Sequence, residues 1–265
     1  MQGELICRRS ESARVNGEER ADLITHLTEL RARLLRSIAY ALIGALVVWS
    51  FFNPIYRFLM SPILRALKGA HGELIVTQLM EGFMVKVEIT LIGGIILAAP
   101  FIYYEIWAFI APGLTRKERR SARPLVPISG LLFLMGAALG YLLTEPSLVW
   151  LLKLNPPETV ARYQLNANLL LLMKFYLALG IAFQLPIVIV LLAKIGIVDS
   201  RLLSRRWREA VVVIFVVAAI ITPTWDPITM TVAALPMVAL YLATIGVVKI
   251  IERNERKAEQ RDLAG

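Results

Sequence analysis

Long apolar runs constrain this chain more than any other feature. Of its 265 residues, 57% are apolar, and about 20 consecutive apolar residues form a helix that crosses the hydrocarbon core of a bilayer. We therefore predict an all-α membrane protein with six transmembrane helices, at Leu34–Phe52, Gly82–Ala111, Pro124–Leu143, Leu169–Ile195, Ala210–Ile221 and Ile228–Ile250.

Two features predict that these helices do not form a regular cylinder. The fifth segment is short, because only about 14 residues at 1.5 Å each lie between Arg208 and Pro223, so the bilayer must thin there or neighbouring helices must cover it. Prolines recur inside or at the ends of the segments, as at Pro100, and bend helices. The expected result is a bent, concave bundle.

Lysine and arginine are concentrated in alternate connecting segments. Residues 1–36, 112–123, 194–208 and 249–265 hold 22 of the 29, and the positive-inside rule therefore places both termini in the cytoplasm. The net charge of +9 is thus a topology signal and gives the chain affinity for anionic lipids, and no nucleic-acid partner is expected.

We predict a polar cytosolic tail at 1–21, a membrane domain at 22–250 and a charged cytosolic tail at 251–265. No cleavable signal peptide is visible, so the first membrane helix is the expected targeting signal.

Signals of an enzyme are poor. The two histidines, His26 and His71, fall on opposite sides of the membrane in this topology, and the single cysteine, Cys7, cannot form an internal disulfide. Motifs for metal, nucleophile or nucleotide sites are absent. We expect no catalytic residue, metal or cofactor.

Two acids at the cytosolic edge are candidates for binding a cation. Glu29 lies in a predicted helix over Asp22–Arg36, where it forms a favourable pair with Arg33 four residues later. Glu118 stands alone among five basic residues. A solvated ion pair and a local counter-charge are the simpler alternatives, but each carboxylate has the chemistry to bind a guanidinium.

Three polar side chains lie in or beside the apolar segments. Gln184 is expected to face the bundle interior, because polar groups in hydrocarbon seldom face lipid. Glu105 is expected to extend toward the cytosol from the end of the second helix. Asp226 lies in the tight outer turn, where its carboxylate is suited to bonding nearby backbone N–H groups.

Four motifs in order give the chain a family resemblance. Thr25–Arg33, Ala99–Leu114 with Glu118–Arg120, Phe183–Pro186 and Thr222–Pro227 resemble TatC, the core subunit of the twin-arginine protein translocase, over about Asp22 to Lys249. The resemblance implies a glove-shaped six-helix fold in the bacterial inner membrane. It implies binding of twin-arginine signal peptides of folded proteins at the cytosolic face, and export driven by the proton-motive force. The implied partners are TatA- and TatB-type single-span proteins and further copies of the chain.

The resemblance also implies site residues. Glu29 and Glu118 match the acids that bind the signal peptide, and Arg31 and Phe109 match other positions of that site. We expect Arg31 to orient Glu29 or to contact lipid phosphate, since its charge disfavours contact with cationic cargo.

Further matches lie in the membrane and on the outer side. Pro62 matches a position in the outer loop that covers the concave face, and Thr222 matches a partner-binding position. The chain departs from the family at Gln184, where Glu is common, at Met230, where some members have Gln, and at Asp226, whose turn is one residue longer. Gln184 keeps a hydrogen-bonding role but cannot carry a proton.

Two other functions compete with this one. A small secondary transporter would carry a solute near the bilayer midplane and needs a buried ionisable group. An intramembrane hydrolase needs a nucleophile and a base, and the sequence offers the weakest support for it.

Overall fold

The computed structural model describes residues 2–68, 72–113, 115, 119–120, 123–154, 156, 162–222 and 227–264, with side chains described from His26 onward except at 255, 257–259 and 261–264. Two predicted site residues, Glu118 and Asp226, lie outside the described residues. The elements are α1 (Gln2–Ser50), α2 (Phe52–Lys68), β1 (Glu73–Ile75), α3 (Glu81–Ile110) with a 3₁₀ turn (Ala111–Gly113), α4 (Leu125–Lys153), β2 (Arg162–Gln164), α5 (Leu165–Ala182), α6 (Leu185–Lys194), α7 (Ser200–Arg205), α8 (Trp207–Ile221) and α9 (Pro227–Ala264).

The helical membrane architecture is confirmed. Among the described residues, five helical stretches are long and apolar enough to cross a membrane: His26–Ser50, Glu81–Gly113, Leu125–Lys153, Leu165–Lys194 and Pro227–Asn254. The remaining predicted segment, the fifth, is α8, with 15 residues, so it is as short as the sequence indicates. The first helix is longer than expected, because α1 continues without a proline from Gln2 to Ser50.

Contacts between distant segments sort the helix ends into two faces. Strands β1 and β2 pair in parallel, with Leu74 opposite Tyr163. The buried carboxylate of Glu81 accepts backbone N–H bonds from Thr77 at 2.6 Å and from Asn166 at 2.9 Å. The two segments that enter α3 and α5 are thereby joined on one face.

The other ends of the helices adjoin the connecting segments that are rich in lysine and arginine, and we call this side the arginine-rich face. The small cluster of Trp107, Leu125, Ile187, Val190 and Val248 joins the end of α3, the start of α4, α6 and α9 there. Beyond it, Glu252 of α9 accepts hydrogen bonds from the backbone N–H and the hydroxyl of Ser200, both at 2.6 Å. The end of α3, the start of α4, α6 and the later part of α9 therefore share one face, as the charge pattern predicts.

Small residues allow the main helix pairs to approach closely. A Cβ atom built on Gly44 of α1 would lie 2.5 Å from the carbonyl oxygen of Gly94 in α3, and one on Gly136 of α4 would lie 2.7 Å from that of Leu179 in α5. Close backbone approach through small residues is the usual means of packing helices in lipid. It fixes α1 on α3 and α4 on α5.

The fourth long stretch is interrupted at its polar residue. Helix α5 ends at Ala182 and α6 begins at Leu185, with Pro186 in its first turn. Proline has no N–H to continue the hydrogen-bonding pattern of the preceding turn, so the chain bends at Phe183 and Gln184. Other prolines are accommodated within helices, among them the buried Pro62 of α2 and Pro100 of α3.

Candidate functional site

Four charged side chains meet where α1 and α3 reach the arginine-rich face. We call Glu29, Arg33, Arg36 and Glu105 the carboxylate–arginine cluster. Arg33 donates to Glu29 Oε1 through Nε at 3.1 Å and through its Nη2 group, and to Glu105 Oε2 through Nη1 at 3.2 Å. Arg36 Nη1 lies 3.4 Å from both Glu105 oxygens. The buried Glu105 therefore contacts the guanidinium groups of both Arg33 and Arg36, and Arg33 also contacts Glu29.

Burial decreases steadily across the cluster. The exposed fraction of the side chain is 3% for Glu105, 17% for Arg33, 33% for Glu29 and 55% for Arg36. A carboxylate buried as deeply as Glu105 is stable only when it is paired and hydrogen-bonded. Glu29, in contrast, is one-third exposed at the arginine-rich face while it remains paired with Arg33.

The sequence spacing explains why these residues meet. Glu29, Arg33 and Arg36 are four and three residues apart and so share one face of α1. Helices α1 and α3 run antiparallel and touch at Gly44 and Gly94. Arg33 lies eleven residues before Gly44, and Glu105 lies eleven residues after Gly94. The glycine crossing thus sets the register of the cluster.

An aromatic contact extends the site by one turn. The ring of His26 stacks on that of Phe109, with centroids 4.4 Å apart and planes 23° from parallel. His26 precedes Glu29 by one turn of α1, so the structure brings the predicted site residues Phe109 and Glu29 to the same end of the helix pair. Arg31 is exposed, and Arg33, not Arg31, contacts Glu29. The first role expected of Arg31, orienting Glu29, is therefore wrong, and the second, contact with lipid phosphate, stays a prediction.

The structure also corrects the role expected of Glu105. Its carboxylate does not extend toward solvent, because Arg33 and Arg36 hold it between the helices. A signal was present in the sequence, since the positions three and four residues away on α3 carry no cation. An acid in an apolar helix without a local partner indicates a partner on another helix.

Gln184 forms a second polar site, inside the bundle. Its Nε2 donates to the backbone carbonyl of Ser129 in α4 at 2.9 Å. The hydroxyl of Ser129 accepts from Trp107 Nε1 at 3.2 Å and donates to the carbonyl of Val126 at 2.7 Å. The prediction that Gln184 faces the interior is confirmed, and its amide helps to join α4 to the break between α5 and α6.

The remaining predicted residues lie away from the carboxylate–arginine cluster. Thr222 is buried at the end of α8, where its hydroxyl donates to the carbonyl of Ala218 at 2.9 Å, and Met230 packs half-buried against the larger core. Pro100 packs where a Cβ on Gly130 would lie 3.2 Å away. Within the described part of the chain, no three His, Cys, Asp or Glu residues are grouped so as to hold a metal ion.

The fold and the site together define a polytopic α-helical membrane protein with a cluster of charged side chains at one face. The family model described as "Sec-independent protein translocase protein (TatC)" matches residues 25–236. The chain belongs to the TatC family.

Relatives and solved structures agree with this assignment. The chain is 37% identical to the Sec-independent protein translocase protein TatC of Koribacter versatilis, with 89% of each chain covered. It is 34% identical to that of Magnetococcus marinus, with 93% of this chain and 91% of the relative covered. A crystal structure of the "Twin Arginine Translocase Receptor- TatC in DDM" superimposes with a TM-score of 0.72 at 34% identity, covering 84% of this chain and 98% of the other.

Proposed function

We propose that this chain is the core receptor subunit of a twin-arginine translocase, and that it binds the paired arginines of signal peptides on folded cargo. The observation that carries the proposal is Glu29, a part-exposed carboxylate fixed at the arginine-rich face beside Phe109. It lies on a helix pair whose register is set by close backbone packing. A preorganised carboxylate of this kind suits a planar guanidinium.

A pair of arginines calls for a second acid, and Glu118 is the candidate. It matches the family motif at Glu118–Arg120 and follows α3, which also carries Glu105 and Phe109. Two carboxylates, one from α1 and one from the segment after α3, would each accept one guanidinium. The positively charged neighbours of Glu118 would repel any cation that approaches it. A guanidinium that binds through two hydrogen bonds would overcome this repulsion better than a cation that binds through one.

The arginine-rich face is the cytosolic one in this proposal. The positive-inside rule supports this orientation, which leaves both termini in the cytoplasm and the protein in the bacterial inner membrane. The proton-motive force, rather than a nucleotide, would drive export.

TatA- and TatB-type single-span proteins are the proposed partners, together with further copies of this chain. The edge at α8 supports a partner site, because 15 residues give about 22 Å of helix, short of the ~30 Å hydrocarbon core. Thr222 and Met230 flank the turn at one end of this edge, and Gln184 lies at the break in the neighbouring helix.

Complementation tests the function as a whole. A strain that lacks its own TatC should regain export of a folded reporter with a twin-arginine signal peptide when this chain and its native partners are supplied. A stably inserted chain that restores no export would refute the proposal.

Photocrosslinking of a labelled signal peptide tests the site. Glu29→Gln and Glu118→Gln should each weaken peptide binding by at least about 1.5 kcal/mol, as expected for a hydrogen bond to a charged group. The matched control is Glu145→Gln, which removes a similarly exposed carboxylate from the opposite face. Undiminished crosslinking in both site variants would show that the acids are misassigned.

A further inference from the structure

We propose that Arg33 is a built-in occupant of the signal-peptide site, which holds Glu29 in the resting protein and moves entirely onto Glu105 when a cargo arginine binds Glu29. The inference rests on the proposed function and names a regulatory contact within that same site. Arg33 would act as an internal competitor, and Glu105 as the positioning residue that retains it after exchange.

The chemistry of the contact carries the first step. Arg33 presents to Glu29 the same guanidinium group that a twin-arginine peptide would present, through both Nε and Nη2. Both donors bind Oε1 of Glu29, so while Arg33 stays in place a cargo guanidinium can reach Oε2 but cannot bind both oxygens in the bidentate geometry. Cargo must therefore displace Arg33 or bind Glu29 less well.

The position of Glu105 carries the second step. It accepts from Arg33 Nη1 at 3.2 Å, a nitrogen that does not donate to Glu29, and it is nearly fully buried. A guanidinium released from Glu29 therefore remains paired and does not become an isolated charge in an apolar setting. The exchange needs only a small movement, because Arg33 touches both acids at once.

Charge balance indicates that Arg36 is the residue that moves away when cargo binds. Glu29 and Glu105 balance Arg33 and Arg36, so the described cluster is neutral before cargo binds. Arg36 is more than half exposed, and among the described residues its ion pair is with Glu105 and not with Glu29. When it moves into water, both Glu105 oxygens become available to Arg33, and Glu29 becomes available to the peptide.

Affinity measurements on the purified full chain in nanodiscs test the exchange, with a twin-arginine signal peptide and a twin-lysine version as probes. Arg33→Gln should tighten twin-arginine binding about fivefold, the effect of removing a competing ion pair of about 1 kcal/mol. Glu105→Gln should weaken it by a similar factor, because Arg33 then has Glu29 as its single acid. The double variant Arg33→Gln/Glu105→Gln should bind at least as tightly as the original chain.

The double variant separates positioning from direct contact. If Glu105 itself bound the peptide, the double variant would remain weak, and the proposal would be overturned. It would also be overturned if Arg33→Gln left affinity unchanged or reduced it in a protein with an unchanged gel-filtration profile and helical circular dichroism. The double variant removes one charge of each sign, so it provides the same test should Arg33→Gln alone fail to fold.

Arg36→Gln distinguishes competition from a general effect of positive charge. It removes a guanidinium that contacts Glu105 but not Glu29, so it should tighten binding less than Arg33→Gln does. Equal tightening would refute the exchange.

The twin-lysine peptide separates the proposed function from the proposed exchange. No preference for arginine in the original chain would refute the proposed function itself, whereas a clear preference without tightening in Arg33→Gln would refute the exchange alone.

Discussion

Gly94→Ala tests the helix contact on which the whole site depends. A Cβ at this position would lie 2.5 Å from the backbone nitrogen of Ala45 and 2.7 Å from its Cα atom. Backbone atoms cannot rotate aside, so α1 and α3 must separate by about 0.9 Å to restore ordinary van der Waals contact at 3.4 Å. Most of the packing of α1 against the rest of the protein is with α3, so little else resists this separation.

The magnitude follows from two opposing effects. A gap of about 0.5–1 Å removes roughly a quarter to a half of the attraction at each contact, and overpacking of this kind typically costs about 1–3 kcal/mol. Replacing helical glycine by alanine returns up to about 1 kcal/mol in helix propensity. We expect a net destabilisation of about 1–2 kcal/mol. Gly246→Ala is the matched control, because nothing lies within 4 Å of a Cβ there and the propensity gain alone remains.

Thermal unfolding in detergent, followed by circular dichroism, provides the measurement. Gly94→Ala should lower Tm by about 2–8 °C, and Gly246→Ala should leave it unchanged or raise it. Gly93→Ala should fall between them, because its nearest neighbour is a side-chain methyl of Val48 at 3.3 Å, which can shift. Equal Tm values for the Gly94 and Gly246 variants would refute the argument that this crossing holds the site together.

Two further predictions concern single side chains. Gln184→Glu should destabilise the protein by roughly 1–3 kcal/mol at neutral pH, because an ionised carboxylate cannot donate to the carbonyl of Ser129. Part of the loss should be recovered in acid, where the protonated group donates again, and a pH-independent Tm would contradict this. Glu81→Ala should lower Tm well beyond Glu73→Ala, since Glu81 is buried and accepts backbone hydrogen bonds, whereas Glu73 is exposed and 4.0 Å from Arg162. Equal effects would show that the Glu81 contacts do not anchor the segments that enter α3 and α5.

The candidate site was predictable only in part. Glu29 and its pairing with Arg33 follow from helical spacing, which places residues four apart on one face, and the structure contains that pair. Glu105 was misplaced because its two partners are 69 and 72 residues away in the chain. Spacing within one helix carries no information about which residues of another helix lie opposite.

For the remaining residues, the sequence predicted where a side chain lies better than it predicted which group the side chain contacts. Gln184 was expected in the interior because an amide is poorly solvated by lipid, and its bond to Ser129 agrees. The partner, however, was not predictable, because it is a backbone carbonyl of α4. Glu81 gave no signal at all, since most of its hydrogen bonds come from backbone N–H groups, which every residue but proline possesses.

The sequence by itself determined that the chain is a helical membrane protein and that one segment is too short for an ordinary crossing, and it predicted that the helix ends alternate between two faces. Apolar run length and the distribution of lysine and arginine are one-dimensional properties, so no knowledge of contacts is needed to interpret them. The tertiary structure alone decided that Arg33 lies between Glu29 and Glu105. That arrangement depends on the register of α1 against α3, which two glycines fix by letting the helix backbones touch.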